Sequence, residues 1–275
     1  MVKNLLKTAF YVGLITTPLG AIGIVLFTQI ALGIAIDFRP IIIAFLGGEI
    51  IYFFNRYKER GGNDYRKKMA KNSIAKLLLM VFSILFIIFL LILSPNKNFL
   101  IAGFSIIILG ILYTVIFKKI PLIGFKNFFV ALIWASITFL SAFAVNKPFN
   151  SSVLIAVFLF VIFNTFAHEV LLDIRDKEDD KLEGILTLPN HISVRKLKLI
   201  VITFSALSLM ALYPLANVSK NSSTFALIFS FSFIYNVYIF EKLKKPTTKN
   251  HLSLEPLLDV AKMLWPIQLL ICKII

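Results

Sequence analysis

Nine apolar runs, each long enough to cross a bilayer, constrain this chain more than any other feature of it. About 17 to 25 predominantly apolar residues cover the roughly 30 Å of hydrocarbon in a membrane. Runs of that size lie at approximately 9–34, 40–57, 74–94, 99–117, 125–146, 151–173, 194–216, 222–240 and 253–273. Composition agrees: 59% of the 275 residues are hydrophobic and 16% charged, with a mean hydropathy of +0.88, far outside the range of soluble domains. The expected fold class is an all-α integral membrane protein, nine transmembrane helices in one bundle, the first kinked at Pro18 and Gly20. No soluble second domain, low-complexity linker or short repeat interrupts it, so residues 1–275 are read as one domain.

A net charge of +15 raises the question of nucleic acid. The 29 Lys and Arg residues are instead dispersed through short connections between apolar runs, and they fall unequally. Only Arg39, Lys97, Lys147, Lys220 and Lys273 lie on one side, and Lys262 lies inside the last run. All the others lie in the N-terminal tail and after the even-numbered runs, which the positive-inside rule assigns to the cytoplasm. The N-terminus is then cytoplasmic and the C-terminus on the outer side of a multi-pass cell-membrane protein. The start, MVKNLLKTAF, lacks a signal-peptide cleavage pattern and is read as leading into the first span. The single cysteine, Cys272, excludes an intramolecular disulfide and a cysteine metal cage.

The cytoplasmic connections are the longer ones and hold nearly all the acids. In EVLLDIRDKEDDKLEGILTLP, residues 169–189, Glu169, Asp173, Asp176 and Asp180 recur at spacings of four, three and four. That spacing puts them on one stripe of a helix. A row of like charges disfavours its helix unless a cation sits among them, so a cation is expected there. A solvated helix end with Arg175, Lys177 and Lys181 in surface pairs is the plain alternative. The connection after the second run echoes this pattern: Asn55, Glu59 and Asn63 are four apart, and Gly61 and Gly62 loosen the helix so that Asp64 turns inward.

Carboxylates and amide oxygens, with no His or Cys cluster, are hard ligands that suit Mg²⁺. Mg²⁺ commonly takes one or two carboxylates together with phosphate oxygens. A Mg²⁺-bound phosphate or diphosphate is the expected ligand, with Lys67, Lys68, Lys71, Lys118 and Lys119 as phosphate contacts or as membrane anchors.

The pattern E-x-x-x-D-x-x-D-x-x-x-D-x-x-x-G-x-x-T-L-P, formed by Glu169, Asp173, Asp176, Asp180, Gly184, Thr187, Leu188 and Pro189, resembles the second aspartate-rich motif of the UbiA superfamily of intramembrane prenyltransferases. YTVIFKKIPLIGFKN, residues 113–127, is similar to that family's connection between spans four and five. The first motif departs from the family's N-D-x-x-D-x-x-x-D: Arg56, Glu59 and Asn63 stand where the three acids belong.

The resemblance implies a UbiA-like bundle around a central cavity open toward the cytoplasm. It implies Mg²⁺-dependent transfer of a prenyl group from an allylic diphosphate to an aromatic or lipid acceptor, with release of diphosphate, as in lipid or quinone biosynthesis. Asp176, Asp180, Asn55 and Glu59 would be catalytic. The metal set would be Asn55, Glu59, Asn63, Asp64, Asp173, Asp176 and Asp180. Lys118, Lys119, Tyr113, Lys67, Lys68, Glu169, Asp173 and Arg175 would bind substrate. Partners are the prenyl diphosphate, its acceptor and membrane lipid, with no nucleic acid and no obligate protein. The alternative is a catalytically weak or inactive relative that binds prenyl lipids, which the altered first motif favours. A small transporter is the more distant rival, and the polar residues gather at one face rather than at mid-membrane. Glu49, Asp259, Lys262 and His168 are ionisable groups within apolar runs. Glu49 is expected to line the same cavity, Asp259 and Lys262 to neutralise each other, and His168 to be a hydrogen-bonded packing residue.

Overall fold

A computed structural model describes residues 16–58, 73–145, 148–182, 184–216, 222–243 and 254–274, and among them there is helix and no strand. In chain order the helices are α1 (Thr16–Ala31), α2 (Phe38–Lys58), α3 (Ser73–Leu93), α4 (Lys97–Val115), α5 (Phe125–Phe143), α6 (Ser151–Arg175), α7 (Lys177–Leu182), α8 (Leu188–His191), α9 (Val194–Ala211), α10 (Tyr213–Ala216), α11 (Ser222–Leu243) and α12 (Leu254–Ile274). A 3₁₀ turn, Phe117–Lys119, joins α4 to the α4–α5 connection.

Each of the nine predicted runs overlaps a helix, and six of those helices, α2 to α6 and α11, are long and apolar enough to cross a membrane. The shortfall has visible causes. Of α1 the structure describes the part from Thr16 on, α9 carries Arg195, Lys196 and Lys198 in its first turns, and α12 carries Asp259, Lys262 and Lys273. Charge at a span's ends or within it lowers mean hydropathy without preventing helix formation.

Neighbours in sequence pack as neighbours in space from α1 through α12, and α12 returns against α1. The interior is aromatic: Phe160 meets Trp265 at 4.8 Å and Phe27 at 5.3 Å between ring centroids, and Phe229 completes the group. Exposure is inverted relative to a soluble protein. Along α3, Leu77, Met80, Ile84, Ile87, Ile88, Leu91 and Ile92 face outward, as expected for a helix solvated by lipid. Two helix starts are capped by asparagine. Asn96 accepts from the Phe99 backbone N–H, and Asn150 accepts from those of Ser152 and Val153.

Candidate functional site

The C-terminal ends of α2, α4 and α6 meet the N-terminal end of α5 around a cavity of about 190 Å³. One end of it is polar, lined by Asn55, Arg56, Lys118, Lys126, Glu169, Asp173, Arg175, Asp176 and Asp180. The other is apolar, formed by Ile43, Ala44, Phe86, Ile106, Ile137 and Leu140 among others. The division follows from the spans: side chains near a helix end can stay charged, whereas those inside hydrocarbon cannot without a partner.

At the polar end, the Lys126 ammonium donates to Asp173 Oδ1 at 2.7 Å and to Asp180 Oδ2 at 3.0 Å. Asn127 Nδ2 donates to the second oxygen of Asp173 at 2.7 Å. All three charged side chains are nearly buried, at 12%, 2% and 9% exposure. The cation expected among the acids is therefore present, and it is a lysine from α5. Burial pushes the Asp180 carboxyl up to about 6, with the Lys126 ammonium opposing the shift and the Asp173 carboxylate adding to it.

Asp176 interrupts the stripe. Helix α6 stops at Arg175, Asp176 leaves helical geometry at ψ 9°, and α7 begins at Lys177. The Asp180 N–H still bonds the Asp176 carbonyl at 2.9 Å, so the helical spacing survives the bend. Arg175, buried rather than surface-paired, grips Asp176 with Nε on Oδ1 at 2.6 Å and a terminal nitrogen on Oδ2 at 2.5 Å. All four acids line the cavity, as do Asn55, Tyr113, Lys118 and Arg175. Arg56 is buried in the wall, its Nε donating to the Tyr52 hydroxyl at 3.2 Å. Among the described residues, no group of three or more His, Cys, Asp and Glu side chains is placed to hold one metal ion. The pair that converges on a single cation is Asp173 and Asp180.

Gly184 explains the glycine of the motif. Its φ of 71° ends α7 in the left-handed region, with the Ile185 N–H on the Asp180 carbonyl and the Gly184 N–H on that of Lys181. This is a Schellman stop, and it fixes Asp180 in the last turn. The Thr-Leu-Pro that follows starts α8. Thr187 is its N-cap and is fully buried, and the Asn190 amide donates to the Thr187 hydroxyl at 3.1 Å.

Several expectations do not meet the cavity. Lys119 is exposed on the 3₁₀ turn and does not line it. Glu59, Asn63, Asp64, Lys67, Lys68 and Lys71 lie outside the described residues. Glu49 is buried in α2 but is not part of the lining. His168 also stands off the cavity, sharing a 2.9 Å hydrogen bond with Asn236. The Asp259 side chain is outside the described part, and Lys262 places its ammonium 3.7 Å from the Trp134 ring centroid, a cation–π contact. Lys126 and Asn127 are the site residues that sequence reasoning missed. They stand in the chain as the Lys-Asn that closes the 113–127 segment.

The profile of the UbiA prenyltransferase family matches residues 70–254. No curated protein sequence matches the chain significantly. Among solved structures, one of digeranylgeranylglyceryl phosphate synthase in membranes superposes with a TM-score of 0.63 at 18% identity, over 99% of both chains. A UbiA homologue from Archaeoglobus fulgidus bound to Cd²⁺ gives 0.64 at 15% identity, over 96% of this chain and 98% of that one. A structure of a UbiA homologue from the same organism bound to GPP and Mg²⁺ gives 0.61 at 15% identity, over 94% and 99%. At these identities the likeness shows the fold.

Proposed function

The chain belongs to the UbiA prenyltransferase family, and from that premise we propose that it transfers a prenyl group from an allylic diphosphate to an aromatic or lipid acceptor, with Mg²⁺, releasing diphosphate. The observation that carries this reading is the cavity's two-part lining: two carboxylates converging on one cation at one end, an apolar pocket at the other. An amphiphile with a diphosphate head and a hydrocarbon tail has the same division.

The donor set fits Mg²⁺. Asp173 and Asp180 already share a cation, and carboxylate oxygens are the ligands Mg²⁺ prefers. Asp173 and Asp180 would hold it, with diphosphate oxygens completing its shell, while Asp176, held by Arg175, and Asn55 lie in the same lining. When bound, Mg²⁺ neutralises charge that develops on the leaving diphosphate. The chain's own cations, Arg56, Lys118 and Arg175, line the same end and add donors to the diphosphate oxygens. The allylic carbon–oxygen bond breaks with its electron pair going to the diphosphate. The acceptor forms the new bond to that carbon and loses a proton, for which the Glu169 carboxylate in the cavity wall is the available base. The apolar end holds the tail and excludes water.

In the membrane the chain acts as one domain that crosses nine times, N-terminus and cavity mouth cytoplasmic, as its charge distribution favours. Arg56, buried where the family carries an acid, favours a second reading, binding of prenyl lipids without transfer. One experiment separates them. Purified protein is incubated with Mg²⁺, geranyl or geranylgeranyl diphosphate and a mixed lipid and aromatic acceptor extract, and diphosphate release is followed. Release that is lost in Asp176→Ala and Asp180→Ala supports transfer, and binding without release supports the second reading. Neither binding nor release, with both variants behaving like wild type, rejects both.

A further inference from the structure

We propose that Lys126 is a tethered counter-ion that competes with the divalent metal for Asp173 and Asp180, so that the site takes up metal together with its substrate rather than ahead of it. The inference rests on the prenyltransferase reading for the identity of the ligand, and on the geometry of this chain for the competition.

Three observations carry it. The Lys126 ammonium is within hydrogen-bond distance of carboxylates on two different helices, at 2.7 and 3.0 Å, so it stands where a cation bound by both would stand. Asp173 is not free to turn toward some other position, because Asn127 holds its second oxygen at 2.7 Å. Lys126 itself is the second residue of α5, just after a turn through Gly124 at φ 80°, on an unbranched four-carbon stem. A lysine is a compact point charge with several rotamers, so its ammonium can withdraw from the acids while its backbone stays in the helix.

A metal held between Asp173 Oδ1 and Asp180 Oδ2 would lie where the ammonium now lies, and two cations cannot share that one position. Metal entry therefore requires the ammonium to leave, and its departure is favourable only when another anion receives it. The polar end of the cavity is where the diphosphate oxygens of the proposed substrate would lie, within the same lining. A purely structural salt bridge makes a different prediction, since removing Lys126 would then weaken the fold and leave metal affinity no better.

The test measures Mn²⁺ binding by the full-length protein in detergent, from the loss of the free-ion EPR signal, with no prenyl substrate present. Lys126→Met is expected to bind Mn²⁺ about 10- to 100-fold more tightly than wild type, the range over which groups touching metal ligands tune affinity. Its thermal midpoint should be lower without metal and recover when Mn²⁺ is added. Lys126→Arg, which keeps a charge and grips carboxylates in a planar fork, should bind more weakly than wild type. Lys198→Met, which removes an exposed lysine paired with Glu241, controls for the lost charge. Unchanged or weaker Mn²⁺ binding by Lys126→Met overturns the inference, even if wild type transfers prenyl groups normally. Absence of Mn²⁺ binding in every variant, Lys126→Met included, overturns the inference and leaves the prenyltransferase reading to the diphosphate-release assay. If Lys126→Met is recovered folded only from cells grown and lysed with Mn²⁺, the competition is supported. If it is not recovered under either condition, Lys126→Arg decides: weaker binding than wild type supports the inference and equal binding rejects it.

Discussion

The chain stops two helices in the same way and uses the two stops differently. Helix α1 ends at Gly33, φ 66°, with the Ile34 N–H on the Gln29 carbonyl and the Gly33 N–H on that of Ile30. Helix α7 ends at Gly184, φ 71°, with the same pair of bonds to Asp180 and Lys181. The residue at the equivalent place in the last turn is Gln29 in one and Asp180 in the other. Gln29 closes on backbone, donating to the Asp37 carbonyl at 3.0 Å and accepting from the Asp37 N–H at 3.2 Å. Asp180 instead faces Lys126 and the cavity. Nearby charge follows the same division. Asp37, just before α2, pairs with Arg39 in its first turn, and Arg39 also donates to the Ala144 carbonyl at 3.0 Å, tying the start of α2 to the end of α5. Asp173 and Asp180 reach a lysine on another helix, buried and lining a cavity. Backbone geometry alone does not make a site. A polar group becomes one when its partner comes from a distant part of the chain and both border a space that a ligand can enter.

The largest effect expected from breaking this contrast is at Asp173. Asp173→Ala leaves Lys126 with one carboxylate and removes the acceptor of the Asn127 amide. Removing one partner of a buried pair costs about 3–5 kcal/mol, and Asp180 remains to hold the result near the lower figure. Transfer should fall about 10²- to 10³-fold, the usual loss when a preorganised electrostatic contact is removed. Thermal unfolding and diphosphate release measure the two effects, and a folded Asp173→Ala protein with near wild-type release would contradict the assignment. Glu49 belongs to neither end. It is 1% exposed, and neither carboxylate oxygen has a hydrogen-bond partner among the described residues. Leaving such a group buried costs about 1–3 kcal/mol, so Glu49→Leu should raise the thermal midpoint, and a lower midpoint would reveal an unrecognised partner.

The two glycines make a matched pair. A side chain at either position meets no atom within 4 Å, so Gly33→Ala and Gly184→Ala should each lose only the cost of a left-handed residue, about 1–2 kcal/mol. Transfer should survive Gly33→Ala and drop severalfold in Gly184→Ala, because only the second stop carries a residue that faces the cavity. Equal activity in the two variants would mean that the turn at Gly184 does not position Asp180.

Much of this was legible in the chain itself. Apolar runs locate helices because length and hydropathy are local properties, and the predicted runs fall on α1 to α6, α9, α11 and α12. The acid spacing was legible for the same reason, since positions three and four apart share a helix face. The bend at Asp176 was not, and neither was the role of Lys126. A lone lysine at the start of an apolar span looks like a membrane anchor, and its partners lie 47 and 54 residues further along the chain. Nothing local marks that pairing, because it is created by α5 packing on α6. Arg175 carries two readings in the sequence, a surface pair and a substrate contact, and the fold buries it against Asp176 in the cavity lining.

The smallest expected effect is at the other end, in Asp37→Asn. Burial pushes the Asp37 carboxyl up, but its hydrogen bonds and charge interaction with Arg39 outweigh that and hold it below the ordinary value. A carboxyl with a lowered value in the folded state contributes stability above its unfolded value, near pH 4, and loses it as pH falls through the folded one. The substitution should therefore cost no more than about 1 kcal/mol near pH 7, and less as the pH is lowered below 4. Transfer should be unchanged, because neither Asp37 nor Arg39 lines the cavity. Chemical denaturation of the two proteins at pH 7 and at pH 3.5 reads the stability difference, and diphosphate release reads the activity. A loss of transfer as large as that of Asp173→Ala would remove the distinction between the two ends, since the pair that ties α2 to α5 would then matter to the chemistry as much as the pair that faces it.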